Sequence, residues 1–151
     1  IIENYATIKA ELQAKGYVFM SDTDTEVIAH LVRETLKTEP DLFVAVRLAT
    51  RRLVGAYAIG VIAEGEDRIV VARHGAPLLL GVGEDGMYAA SDASALLQVT
   101  RKMVYLEDGD VAELTREGMR IVSLDGTAVE RLVNESTLSL DAVAASSAKR
   151  R

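Results

Sequence analysis

Residues 55–74 read GAYAIGVIAEGEDRIVVARH. The runs GAYAIGVIAE and DRIVVARH are rich in β-branched and small apolar residues and flank Gly65 and Glu66, which predict a hairpin turn. Before Leu53 apolar residues recur at helical spacing, and after it they do not. The runs PLLLGVG, GMYAASD, KMVYLEDGDVAELT and GMRIVSLDG extend the β pattern, each bounded by glycine or aspartate. DRIVV and PLLLG are apolar on both faces, which predicts sheet covered on both sides. Helices gathered at the front and at least five antiparallel strands behind them define an α+β fold with packed layers.

Working back from Gly55, a helix ending near Arg51 and Arg52 is expected to start at Pro40, which suits a first helical position, with Leu42, Phe43, Val46 and Ala49 inward. Val27, Ile28, Leu31, Val32 and Leu36 form a stripe of period near 3.6, and Tyr5, Ile8 and Leu12 another that Gly16 stops. YVFM, residues 17–20, is expected to run extended between these two helices. Further on, a short helix capped by Ser91 should interrupt the strands and turn Ala95, Leu96 and Val99 inward. Residues 1–136 read as one unit. Residues 137–151, rich in serine and alanine, read as a tail or the start of a linker.

Composition narrows the function. The 151 residues are 49% hydrophobic and 26% charged, enough apolar surface for a folded core. A net charge of −6 opposes binding to a nucleic-acid backbone. There is no cysteine, and the two histidines, His30 and His74, lie too far apart for a recognised metal motif. No cofactor is implied. No apolar run approaches the roughly 18 residues needed to span a bilayer, and no signal-peptide pattern is present, so a soluble cytoplasmic protein without membrane contact is expected.

The densest polar cluster is SDTDTEV, residues 21–27, at the mouth of the second helix. Thr23 and Glu26 have the spacing of a capping box, in which each side chain satisfies a backbone N–H at the helix start. Asp22 and Asp24 also gain from the positive end of the helix dipole. Asp24 is one carboxylate more than capping requires, and a carboxylate there suits an ammonium group. Capping alone and ligand binding both remain open on these residues. His30, beside Ile28 and Leu31, reads as a satisfied, half-buried histidine, and His74 as a solvated one. GVGEDG lacks the spacing of a nucleotide loop. EDGD, residues 107–110, reads as a turn with Gly109 at positive φ. No nucleophile elbow or other catalytic constellation is visible.

GYVFMSDTDTEVIAHL, LVGAYAIGVI, ARHGAPLLLGVG, YAASDASALL and TRKMVYLEDGDVAEL, in this order and spacing, resemble the glutaminase domain of glutamine–fructose-6-phosphate aminotransferase (isomerising), a class II glutamine amidotransferase. Ala76 departs from the serine more often found there. The resemblance implies part of an N-terminal-nucleophile α/β/β/α four-layer sandwich with antiparallel sheets. It also implies a terminal cysteine whose thiolate attacks the glutamine amide, with its own α-amino group as base and an Asn-Gly oxyanion pair. In this family that pair immediately precedes IIEN. The chain is therefore expected to be the C-terminal portion of the domain, to contain none of the catalytic residues, and to be inactive alone. The parent would pass ammonia from glutamine to fructose 6-phosphate through further domains. Asp24 matches the aspartate that holds the α-amino group of glutamine. A homo-oligomer is expected, since strands missing upstream would leave sheet edges uncovered. The alternatives are a non-catalytic binding or regulatory module of the same fold and the glutaminase part of an amidophosphoribosyltransferase.

Overall fold

A computed structural model of the chain describes residues 1–139 and residue 148. Three helices come first: α1 (Tyr5–Ala14), α2 (Glu26–Leu36) and α3 (Leu42–Thr50). Strands β1 (Tyr57–Val61), β2 (Ile69–His74), β3 (Leu79–Val82) and β4 (Met87–Ala90) follow. After a 3₁₀ turn at Ala93–Leu96 come β5 (Lys102–Tyr105), β6 (Val111–Leu114), β7 (Met119–Val122) and β8 (Val133–Glu135). The strands form two antiparallel four-stranded sheets, ordered β1-β2-β6-β7 and β4-β3-β5-β8.

Strand alternation explains the layering, because neighbouring residues point to opposite faces of a sheet. Val70 and Ala72 on β2 and Val111 on β6 join the helices' core, with Ile8, Leu12, Val27, Leu31 and Val46. Val71, Ala112 and Leu114 point the other way and meet Leu80 and Val104 of the second sheet. On that sheet's far face Leu79 and Met103 pack under Leu96 and Leu97. The doubly apolar runs are thus covered on both sides, and each fully buried Leu or Val contributes about 1.5–3 kcal/mol. Of the four expected layers three are present: the helices and the two sheets. The outer one is represented, among the described residues, by the 3₁₀ turn.

Several local expectations need correction. Asp41, not Pro40, opens α3: its carboxylate accepts from Val44 N at 3.1 Å, and Pro40 sits ahead of the cap, where no N–H is needed. That helix ends at Thr50, so Arg47 occupies its last turn while Arg51 and Arg52 lie beyond it. Asp92 rather than Ser91 receives the first N–H of the 3₁₀ turn, from Ser94. Because that turn advances three residues at a time, Leu96 and Leu97 are buried, while Ala95 and Val99 are exposed. Residues 17–20 pair with no strand, although Tyr17 and Phe19 still pack on the helical core. The hairpin turn falls where expected: Glu66 N donates to Ala63 O at 3.1 Å and Gly65 takes φ +78°. Most of the expected tail, residues 140–147 and 149–151, lies outside the described residues.

Candidate functional site

The entrance to α2 is built differently from a capping box. The helix begins at Glu26, so Glu26 is its first residue rather than its third, and Thr23 lies too far back to reach the helical N–H groups. Thr25 holds the cap position without a side-chain bond. Glu26 instead folds back over the loop, accepting from Met20 N at 2.7 Å, from Ser21 N at 2.8 Å and from the Ser21 hydroxyl. Thr23 Oγ1 lies 2.9 Å from Ser21 Oγ. These bonds, led by the Ser21 hydroxyl and then the Met20 N–H, hold the Glu26 carboxyl down at about 2.

A carboxyl depressed in the fold stabilises it above its unfolded value, roughly 4.3, and that contribution fades as pH falls through the folded value. The stability difference between the protein and its Glu26→Gln variant should therefore hold at neutral pH and vanish near pH 2. Thermal melts across pH 7 to 2 check this. A difference that persists at the acid end would mean that Glu26 acts by packing rather than by charge.

Asp24 sits in the turn just before the helix and is half-buried. Its Oδ2 accepts the backbone N–H of Ile2 at 2.7 Å, a contact 22 residues away in sequence. Among the described residues no other hydrogen bond to this carboxylate is formed, so Oδ1 is not spent on the protein. A carboxylate pinned through one oxygen at the mouth of an eleven-residue helix can offer the other to a cation. An apolar groove of about 490 Å³ between α2 and β1 runs past Thr25, Ile28, Val32, Ile59 and Ile62. Asp24 does not line it.

His30 is half-buried as expected, with Nε2 3.2 Å from Glu26 Oε1 and its ring packed edge-on to Phe19 at 4.6 Å. His74 is exposed at the end of β2. Gly109 takes φ +87° in the EDGD turn, as expected. Asp110 of that turn is almost fully buried, and Arg131 clasps it with two bonds of 2.8 and 2.9 Å. Among the described residues no group of acidic, histidine or cysteine side chains could hold a metal ion, and no helix is long and apolar enough to cross a membrane.

What the sequence did not reveal is the seat of residues 1–4. Ile2 buries its side chain in the helical core at 1% exposure. Ile1 N donates to Ala56 O at 2.9 Å and Glu3 N to Val54 O at 2.7 Å. Asn4 closes the seat: its Nδ2 donates to Arg52 O at 2.8 Å and its Oδ1 accepts from Val54 N at 2.9 Å. Nothing in a linear pattern signals a pairing fifty positions apart.

Two facing antiparallel sheets with helices on one outer face make an α+β domain of the N-terminal-nucleophile type. Solved structures agree. Glutamine phosphoribosylpyrophosphate amidotransferase from B. subtilis superposes with a TM-score of 0.68 at 28% identity, over 80% of this chain and 27% of that one. The allosteric regulatory enzyme of purine biosynthesis also gives a TM-score of 0.68, at 29% identity over 82% of this chain and 26% of that one. The chain belongs to the glutamine amidotransferase domain family, whose profile matches residues 1–98. It is 55% identical over 144 residues to the glutamine–fructose-6-phosphate aminotransferase (isomerizing) of Acidithiobacillus ferridurans, and 52% identical over 143 residues to that of Idiomarina loihiensis. These alignments take in 95% and 94% of this chain but 24% and 23% of the relatives, so it spans about a quarter of their length.

Proposed function

We propose that this chain is the later part of the glutaminase unit of a glutamine–fructose-6-phosphate aminotransferase, with residues 1–136 in that unit and 137–151 leading out of it. The observation that carries the reading is 55% identity to such an enzyme across 95% of the chain. In the reaction, water replaces the side-chain amide nitrogen of glutamine, giving glutamate and ammonia, and the ammonia passes to fructose 6-phosphate to form glucosamine 6-phosphate. The chain has no cysteine, so in this reading the attacking thiolate belongs to another part of the longer protein. Residues of this chain bind and orient the substrate.

Asp24 is the residue to which we assign the glutamine α-ammonium. Oδ2 is occupied by Ile2 N, and Oδ1 would accept the ammonium proton, a charge-assisted hydrogen bond across an ion pair. Such a bond contributes about 1.5–3 kcal/mol, so Asp24→Asn in the full-length enzyme should raise the KM for glutamine roughly 10- to 100-fold. Turnover at saturating glutamine should fall much less, because the contact exists in ground state and transition state alike. Steady-state kinetics with glutamine varied are the test, and an unchanged KM would remove Asp24 from the site.

We also propose that the protein is a homo-oligomer. Among the described residues β1 is an edge strand beside the apolar groove, and Ile62 next to it is 77% exposed. An open strand edge beside apolar surface favours pairing with a second copy. Sedimentation equilibrium at micromolar concentration should give a mass above that of one chain; a monomer throughout that range would refute the proposal.

A further inference from the structure

The assignment of Asp24 leaves open what aims its carboxylate, and the seat of residues 1–4 supplies the means. This segment lies against residues 52–56 as a short antiparallel ladder centred on the Ile2–Gly55 bridge. In such a ladder successive N–H groups point to opposite sides. Those of Ile1 and Glu3 turn toward Ala56 O and Val54 O, which leaves the N–H of Ile2 aimed away from the ladder, at Asp24 Oδ2. A slip of one residue would reverse this and take the donor from the carboxylate.

Asn4 opposes that slip. It stands at the N-cap position of α1, where an asparagine usually bonds the helix, yet it makes no side-chain cap bond. Both ends of its amide are spent instead on Arg52 O and Val54 N, which sets the register of the three residues ahead of it. Gly55 makes the close approach possible: it takes φ +118°, and a Cβ there would lie 2.2 Å from Ile1 O.

We propose that Asn4 is a positioning residue for the substrate amine: it sets the register of residues 1–4 on 52–56 and so fixes, through Ile2 N–H, the orientation of the Asp24 carboxylate. The inference rests on the reading of Asp24 as the glutamine-ammonium ligand. Asn4 itself touches no substrate. Its effect is transmitted through one backbone hydrogen bond, so it should appear in glutamine binding and only where Asp24 is intact.

The test is glutamine kinetics of the full-length enzyme in four forms: unaltered, Asn4→Ala, Asp24→Asn and the double variant. Asn4→Ala should raise the KM for glutamine about tenfold, more than it lowers kcat. Asn4→Asp, which keeps the acceptor for Val54 N–H and loses the donor to Arg52 O, should fall between. The double variant should bind glutamine no worse than Asp24→Asn alone, because the two changes act on one contact. Thr100→Ala, which loses a 2.7 Å bond to Val82 O in the other sheet, should leave KM unchanged and so separates positioning from general loss of stability. If Asp24→Asn leaves KM unchanged, the reading of Asp24 fails and this inference with it. If Asp24→Asn raises KM while Asn4→Ala does not, or if the two effects multiply, the reading stands and the positioning role is overturned.

Discussion

Gly55→Ala is expected to destabilise the protein by about 3–5 kcal/mol, from backbone strain of about 1–3 kcal/mol plus the hydrogen bonds lost around it. At φ +118° the residue is outside the conformations that an L side chain adopts, and the added methyl would meet Ile1 O at 2.2 Å. Neither conflict can be relieved by a rotamer, because the obstructing atom is backbone. Either residue 55 changes φ and drags β1, or residues 1–3 lift away and give up the bonds to Val54 O and Ala56 O. The second route also withdraws Ile2 from a core in which it is 1% exposed. Urea denaturation measures the loss. By contrast Gly65→Ala, at φ +78° with no atom within 4 Å of the added Cβ, should cost much less. Equal losses at the two positions would show that φ strain alone, and not the approach of residue 1, makes Gly55 necessary.

Arg131→Ala is the second change with a large expected effect, about 3 kcal/mol. Asp110 is 1% exposed, and its carboxylate is satisfied by the fork of Arg131 together with Glu107 N at 2.8 Å. Removing the arginine leaves a buried negative charge with a single backbone donor. Because the arginine side chain itself is 21% exposed, water can enter the space it leaves, and this keeps the loss at the low end for buried ion pairs. Arg131 also reaches Glu107 Oε2 at 2.9 Å, so its loss detaches the approach to β8 from the β5–β6 turn. Adding Asp110→Asn should restore much of the stability, since the amide oxygen keeps the bond to Glu107 N without the charge. A double variant no more stable than Arg131→Ala would mean that arginine packing, not the buried charge, is what matters.

The class of each element and the face it buries can be read from the residue pattern alone. Val70 beside Val71 and Leu79 beside Leu80 announced sheets covered on both sides, and the stripe from Val27 to Val32 announced a helix with one buried face. These signals are legible because they repeat every two or three to four residues, within one element. The surplus of carboxylates in SDTDTEV also marked Asp24 without reference to the fold. Folding in three dimensions decided the order of strands, in which β2 lies beside β6 although β3 follows it in the chain. It decided that Glu26 folds back on the loop rather than completing a capping box, because the helix starts three residues after Thr23. And it decided which oxygen of Asp24 is already occupied. That depends on Ile2 N, 22 positions away, held by a segment whose own anchors lie another thirty positions along the chain. Local periodicity is written in neighbouring residues, whereas such contacts exist only once the chain has returned on itself.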